Sequence, residues 1–134
     1  MIADTSGLLA LFNSREPKHE HIRGVVESLA EPLVVSPFVV AELDYLVATR
    51  LGTSAELAVL DELGGGAYDL PHLDQNDIQH CAQIVRDYGD QEIGIADASI
   101  VLLANRYETI DILTLDERHF RVLKSLTGSH FNLA

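Results

Sequence analysis

Apolar positions along the chain alternate between short unbroken runs and stripes at helical spacing. Ile2-Ala3 predicts a short strand. Asp4-Thr5-Ser6 then supplies a turn of capping residues before a helix carrying Leu8, Leu9, Leu11 and Phe12. Glu16-Pro17 breaks that helix, and Pro17 opens a second helical pattern with Ile22, Val25, Val26 and Leu29 on one face. Leu33-Val34-Val35 is wholly apolar, as a strand buried on both faces would be. Ser36 with Pro37 behind it reads as an N-cap with proline at the first helical position, and Val39, Leu43, Leu46 and Val47 follow on the helix. Gly52 ends it. Thr53 and Glu56 have the spacing of a capping box for a helix with Leu57, Leu60 and Leu63, which Gly64-Gly65-Gly66 closes.

The second half repeats the alternation. Tyr68-Asp69-Leu70 is a weak strand candidate. Asp74 caps a helix whose apolar face is expected to be Ile78, Cys81, Ala82, Val85 and Tyr88. Residues 90–94 form a polar loop, and Ile95 to Asn105 read as a buried helix. Ile112-Leu113-Thr114 is a strand ending just before Asp116. Phe120 and Val122 lie on a short helix or turn, and Phe131-Asn132-Leu133 form a last edge strand. Strands alternating with helices predict an α/β architecture, a short and mostly parallel sheet covered by helices on both faces. No internal repeat, low-complexity tract or boundary divides the chain, so residues 1–134 are expected to form a single domain.

Composition changes this picture only at the edges. With 9 basic and 21 acidic residues the net charge is −12, which argues against a bulk electrostatic grip on nucleic acid and favours a basic protein partner. A nuclease survives this, because metal ions neutralise an acidic site locally. The single cysteine, Cys81, allows no internal disulfide and fits a reducing cytoplasm, where it reads as a small buried hydrophobe. The apolar N-terminus lacks a basic leader and carries Asp4, so it reads as strand and helix rather than signal peptide, and no apolar run is long enough for a membrane span.

The candidate chemistry lies in four carboxylates. Asp4 and Asp116 directly follow strand-like runs. Asp97 precedes Ile100 and Val101 by three and four residues and so shares their buried face, while Glu42, midway between Phe38 and Leu46, borders its helix's apolar stripe. In parallel sheets the strand C-termini and the N-termini of the following helices share one edge, where ligands bind. All four acids are expected there. Buried carboxylates are costly unless paired or bound to a cation, and such conflicts with the local pattern tend to mark functional sites. Oxygen ligands without Cys or His suit Mg²⁺ or Mn²⁺ better than Zn²⁺, and such ions would bind a scissile phosphate and activate water.

Taken together, Asp4-Thr5-Ser6, Ser36-Pro37 with Ala41-Glu42, Ile95-Ala96-Asp97-Ala98, and Leu113-Thr114-Leu115-Asp116 with Phe120 resemble a PIN domain across nearly the whole chain. The compact length is similar to the toxin half of VapBC toxin–antitoxin pairs. The resemblance implies a three-layer α/β/α PIN-like fold and a Mg²⁺- or Mn²⁺-dependent endoribonuclease cleaving structured RNA, notably tRNA or rRNA loops. It makes Asp4 and Asp97 the core metal ligands, with Glu42 and Asp116 completing the site and Thr5 or Ser6, together with Thr114, orienting them. It also implies a homodimer and a VapB-type antitoxin that places a basic side chain in the acidic site. In one respect the pattern departs from relatives with an extra acid shortly before the Asp97 position. Gly94 and Ile95 stand there, with Asp90 and Glu92 in the preceding loop, which counts against a second stable metal site.

Arg118 and His119, within a turn of Asp116, are candidate RNA contacts, and Arg15, Lys18 and Arg50 are candidates for the substrate rim. His19 and His21, two residues apart, fall on different helix faces and read as solvated. Leu8, Leu9, Leu11, Phe12, Leu43, Leu46 and Val47 exceed what one helix face needs, so part of that surface is expected to receive the antitoxin or a second subunit. Two other readings compete. A metal-dependent phosphatase would want a second Asp two residues after Asp4, where Ser6 stands. A catalytically inactive PIN-like interaction module would be expected to have lost acids that are all present here.

Overall fold

The computed structural model describes residues 1–134, in the order β1 (Ile2–Ala3), α1 (Thr5–Phe12), α2 (His19–Glu27), α3 (Pro37–Leu51), α4 (Thr53–Leu63), α5 (Gln75–Asp87), α6 (Ile95–Arg106), β2 (Asp111–Leu113), α7 (Glu117–Val122) and β3 (Asn132–Leu133). The sheet order is β1-β2-β3 and every pairing is parallel, with Ile2 opposite Ile112, Ala3 opposite Leu113 and Ile112 opposite Leu133. On the far side of β1, single parallel bridges continue the sheet from Ile2 to Val34 and from Val34 to Asp69. The apolar run at 33–35 and the weak candidate at 68–70 therefore do join the sheet, though each pairs through one residue. Ile2, Ala3, Val35, Ile112 and Leu113 are wholly buried, as expected for parallel strands covered on both faces.

Helix α6 is buried continuously from Ala98 to Ala104 and runs through the core. Its C-terminal end is tied to the start of α5 by Arg106, whose guanidinium lies 2.6 Å from Asp77. The first turn of α6 thus projects from a fixed axis, and that turn carries Asp97.

Several local expectations are corrected. Helix α2 starts at His19 rather than Pro17, because residues 16–19 close a turn in which the His19 N–H donates to the Glu16 carbonyl. His19 is not solvated. Its Nδ1 lies 2.7 Å from the Ala10 carbonyl oxygen and docks α2 onto α1. Thr53 is no N-cap. Gly52, at φ +91°, both ends α3 and precedes α4, leaving no separate capping residue. Glu56, freed from that role, faces Asp44 on α3, and the contact raises its pKa. Helix α4 buries Val59 and Leu63 and leaves Leu57 and Leu60 exposed. The Asp74 cap is a full reciprocal box with Asp77, but the buried residues of α5 are Cys81 and Ile84. Ala82 and Ile78 face outward.

Candidate active site

Asp4 occupies the N-cap position of α1, yet its carboxylate makes no capping bond. Its Oδ2 instead accepts hydrogen bonds from Ser6 Oγ at 2.7 Å and Thr114 Oγ1 at 2.8 Å. Each hydroxyl in turn accepts a backbone N–H, from Leu115 to Ser6 at 2.9 Å and from Asp116 to Thr114 at 2.8 Å. A hydroxyl has one proton to give. Both hydroxyls can turn that proton to Asp4, which is held as an acceptor, although their oxygens also stand 3.1 Å from each other. The network joins the end of β1 to the end of β2, and Gly7 permits that approach, since a Cβ there would collide with the Leu113 carbonyl. Thr5 takes no part in it. Its hydroxyl is buried without a hydrogen-bond partner.

Glu42 stands in the second turn of α3 and Asp97 in the first turn of α6. The starts of these helices are joined by a buried bond of 2.7 Å between Ser36 Oγ and Ser99 Oγ. Ser36 also accepts from the Phe38 N–H, and Ser99 donates to the Ala96 carbonyl. The polar chain therefore sets the two acid-bearing turns against each other. Sequence reading missed Ser99 and Gly7. A serine or glycine within an apolar helix was the available signal.

These elements enclose a cleft of about 740 Å³ lined by Asp4, Glu42, Asp97 and Asp116, together with Thr5, Ser6, Arg50 and His119. Glu92, set aside on sequence, also lines it, from a loop residue at φ +54°. His119 Nδ1 lies 3.2 Å from Asp116 Oδ2 and 3.6 Å from Asp97 Oδ2, so the imidazole stands between two of the acids. Asp116 caps α7 through the His119 N–H at a long 3.4 Å. Arg118 turns away into a neighbouring groove with Lys18, and Arg15 is exposed and lines neither.

Burial raises the Asp4 pKa against the lowering effect of the Ser6 and Thr114 hydrogen bonds. Burial also pushes Asp97 up to about 6, helped by Asp4, Glu42 and Asp116, while His119 pulls it down. Carboxylates that disfavour one another's charge form a site whose potential a cation would relieve. Hard oxygen donors and the partnerless Thr5 hydroxyl fit a hydrated divalent ion such as Mg²⁺. No three of the acidic and imidazole groups stand close enough together, as arranged, to enclose an ion on their own.

A second concavity, about 430 Å³ and mostly apolar, lies between α1, α3 and α4 and includes Leu9, Leu11, Phe12, Val47, Leu51 and Val59. Of the surplus apolar residues, Leu8 and Leu43 are wholly buried, and Leu46 faces the acidic cleft. No helix is long and apolar enough to cross a membrane.

The family model described as PIN domain matches residues 1–125. The chain is 56% identical over 133 residues to Ribonuclease VapC26 of Mycobacterium tuberculosis, covering 99% of this chain and 98% of that protein. Among solved structures, VapC20 of M. tuberculosis, a sarcin–ricin loop cleaving toxin, superimposes with a TM-score of 0.80 at 18% identity, over 87% of this chain and 90% of that one. FitAcB of Neisseria gonorrhoeae does so with a TM-score of 0.57 at 23% identity, over 83% and 84%. At such identities the two structures speak to the fold alone. A family match over most of the chain, a relative alike from end to end and the shared parallel-sheet fold agree, and this chain belongs to the PIN-domain family, among its VapC-type members.

Proposed function

We propose that this chain is a divalent-metal-dependent endoribonuclease, the toxin of a type II toxin–antitoxin pair, acting on structured RNA such as a tRNA or rRNA loop. The observation that carries the reading is the convergence of Asp4, Glu42, Asp97 and Asp116 in one cleft, with Asp4 fixed as an acceptor by two hydroxyls. The name of the relative alike over nearly the whole chain supports the reaction class. Asp4 and Asp97 would hold the ion, with Glu42 and Asp116 beside them, and a Mg²⁺ or Mn²⁺ bound there would polarise the scissile phosphate and lower the pKa of an attacking water. The chain's own contribution is positional. Ser6 and Thr114 orient Asp4, the Ser36–Ser99 bond sets α3 against α6, and Arg50 offers a cation to the approaching phosphate.

The same cleft suits regulation by a protein partner. An antitoxin with a basic side chain would find four carboxylates to neutralise, and the apolar groove between α1, α3 and α4 gives its remaining surface a seat. A second copy of this chain is the further expected partner. The test is cleavage of total cellular RNA by the purified chain with Asp97→Asn alongside. Discrete fragments that need Mg²⁺ or Mn²⁺ and vanish in the variant support the reading. A folded Asp97→Asn variant that stays fully active and toxic removes the metal site from it.

A further inference from the structure

Behind Asp116 the acidic cleft gives way to a second groove of about 590 Å³, lined by Lys18, His21, Arg118 and Glu117 together with Asp116 itself. The chain has 9 basic residues against 21 acidic ones, and most of the 9 make no ion pair, so it is their place beside the acidic cleft that singles out Lys18 and Arg118, with Arg50 inside the cleft itself. Arg23, Arg106 and Arg121 are each ion-paired. Lys18 and Arg118 are exposed and make no ion pair, although Glu117 lies in the same groove. That glutamate is held by Arg121 at 2.9 Å, which lowers its pKa most, while the nearby charge of Lys18 lowers it least. Arg15, Arg86 and Lys124 are also without ion pairs, but they line neither the acidic cleft nor this groove.

We propose that this groove is a strand-binding subsite in which Lys18 and Arg118 receive backbone phosphates of the RNA next to the one cleaved. The inference rests on the ribonuclease reading and deepens it. Asp116 belongs to both concavities, so a strand whose scissile phosphate lies against the acids continues into the groove without leaving the surface. An acidic cleft repels the flanking phosphates of its own substrate, since the ion neutralises only the phosphate it touches. Cations placed one step along the strand offset that repulsion. They fix the register of the chain while leaving the bases unread, which is the general role of phosphate contacts. Lys18 introduces α2 and Arg118 lies on α7, so the subsite clamps two elements that the sequence separates by a hundred positions. His21 adds a third donor in the same groove.

The test uses the full chain with the double variant Lys18→Gln/Arg118→Gln and, as a control for net charge alone, Lys124→Gln. The RNA is a labelled transcript spanning the strongest cut that the wild-type chain makes in total cellular RNA. Binding is followed by fluorescence anisotropy in EDTA over a series of salt concentrations, in an Asp97→Asn background. Cleavage is measured separately in the wild-type background with metal. The proposal predicts binding weakened roughly 10-fold or more at low salt, with the salt slope falling by about 1.5 as two phosphate contacts are lost. It predicts a raised KM with kcat retained, and little change from Lys124→Gln. Unchanged binding and slope in the double variant, in a protein that does cleave RNA, overturns the subsite and leaves the nuclease standing. An equal loss from Lys124→Gln does the same, because it reduces the effect to net charge. Retained RNA affinity together with lost binding of a poly-glutamate peptide overturns it in favour of protein docking. If the wild-type chain neither binds nor cuts RNA, the ribonuclease reading fails first and the subsite falls with it.

Discussion

The two concavities that meet at Asp116 hold their charges in opposite ways. In the acidic cleft Asp4 is buried and tied to two hydroxyls, Asp97 and Asp116 are half-buried, Glu42 is exposed at the rim, and Asp97 is raised to about 6 by burial and by its neighbours. In the adjoining groove Lys18 and Arg118 are exposed and unpaired. Like charges packed into a low-dielectric wall store electrostatic free energy that a ligand of opposite sign releases, so the first region suits a compact cation. Exposed cations at the rim are screened by salt and act on an extended polyanion. The difference predicts that substitutions in the cleft act on chemistry and metal affinity, and substitutions in the groove on strand binding.

The largest effect is expected from Asp4→Asn or Asp97→Asn. RNA cleavage should fall by about three orders of magnitude or more, since the ion's contribution to the transition state is lost with its ligand. Circular dichroism and thermal melting of the metal-free variants should show an intact fold that is no less stable than the parent, because a disfavoured charge has been removed. Second in size is Gly7→Ala. The added Cβ would meet the Leu113 carbonyl, and forcing α1 away from β2 should cost roughly 2–3 kcal/mol, read as a lowered melting temperature. Activity should fall with it, since Asp4 and Thr114 are then pulled apart.

Thr114→Val comes next. It keeps the shape of the side chain but removes one donor to Asp4 and the acceptor of the Asp116 N–H. Metal affinity should drop about 10- to 100-fold, as when other groups that orient a metal ligand are lost. Equal metal affinity in this variant would separate the hydroxyl network from the metal site.

The smallest effect concerns pH. Asp97 has a folded pKa of about 6 against the ordinary 3.8 of a free aspartate, and Asp4 is raised in the same direction. Between those values the folded state holds protons that the unfolded state has released, so stability of the metal-free chain falls as pH rises through this window. Chemical denaturation in EDTA should therefore show a gain as pH is lowered from 7 toward 5. Screening at the part-exposed Asp97 side chain holds its share of the gain to about 1 kcal/mol. Asp97→Asn should flatten the profile. A wild-type profile that already rises with pH across the window would contradict the assignment of Asp97 as the strained carboxylate.

Much of the fold was legible because burial writes directly into sequence. The run from Ile100 to Ala104 is apolar on every side, and α6 is buried without a break from Ala98 to Ala104. Legibility failed where several registers were equally apolar. Helix α4 offered Leu57 and Leu60 as well as Val59 and Leu63, and the tertiary contact with α3 selected the second pair. On α5 Ile84 rather than Ala82 turned inward, since the larger side chain fills more of the core. The acids of the cleft stood out because charge conflicts with an apolar pattern. Glu92 did not, because a glutamate in a polar loop conflicts with nothing, and its place in the cleft depends on a left-handed backbone that sequence does not announce. Ser36 was read as a cap, and so it is, but its bond to Ser99 crosses between helices and is invisible to local pattern.

The most direct test of the central claim needs no knowledge of the RNA. Isothermal titration of Mn²⁺ at neutral pH into the purified, partner-free chain should show saturable binding that is lost or strongly weakened in Asp4→Asn and in Asp97→Asn, with both variants folded. Binding that is equal in the wild type and the two variants, or absent from all three, would contradict the account that these carboxylates converge to hold a metal ion.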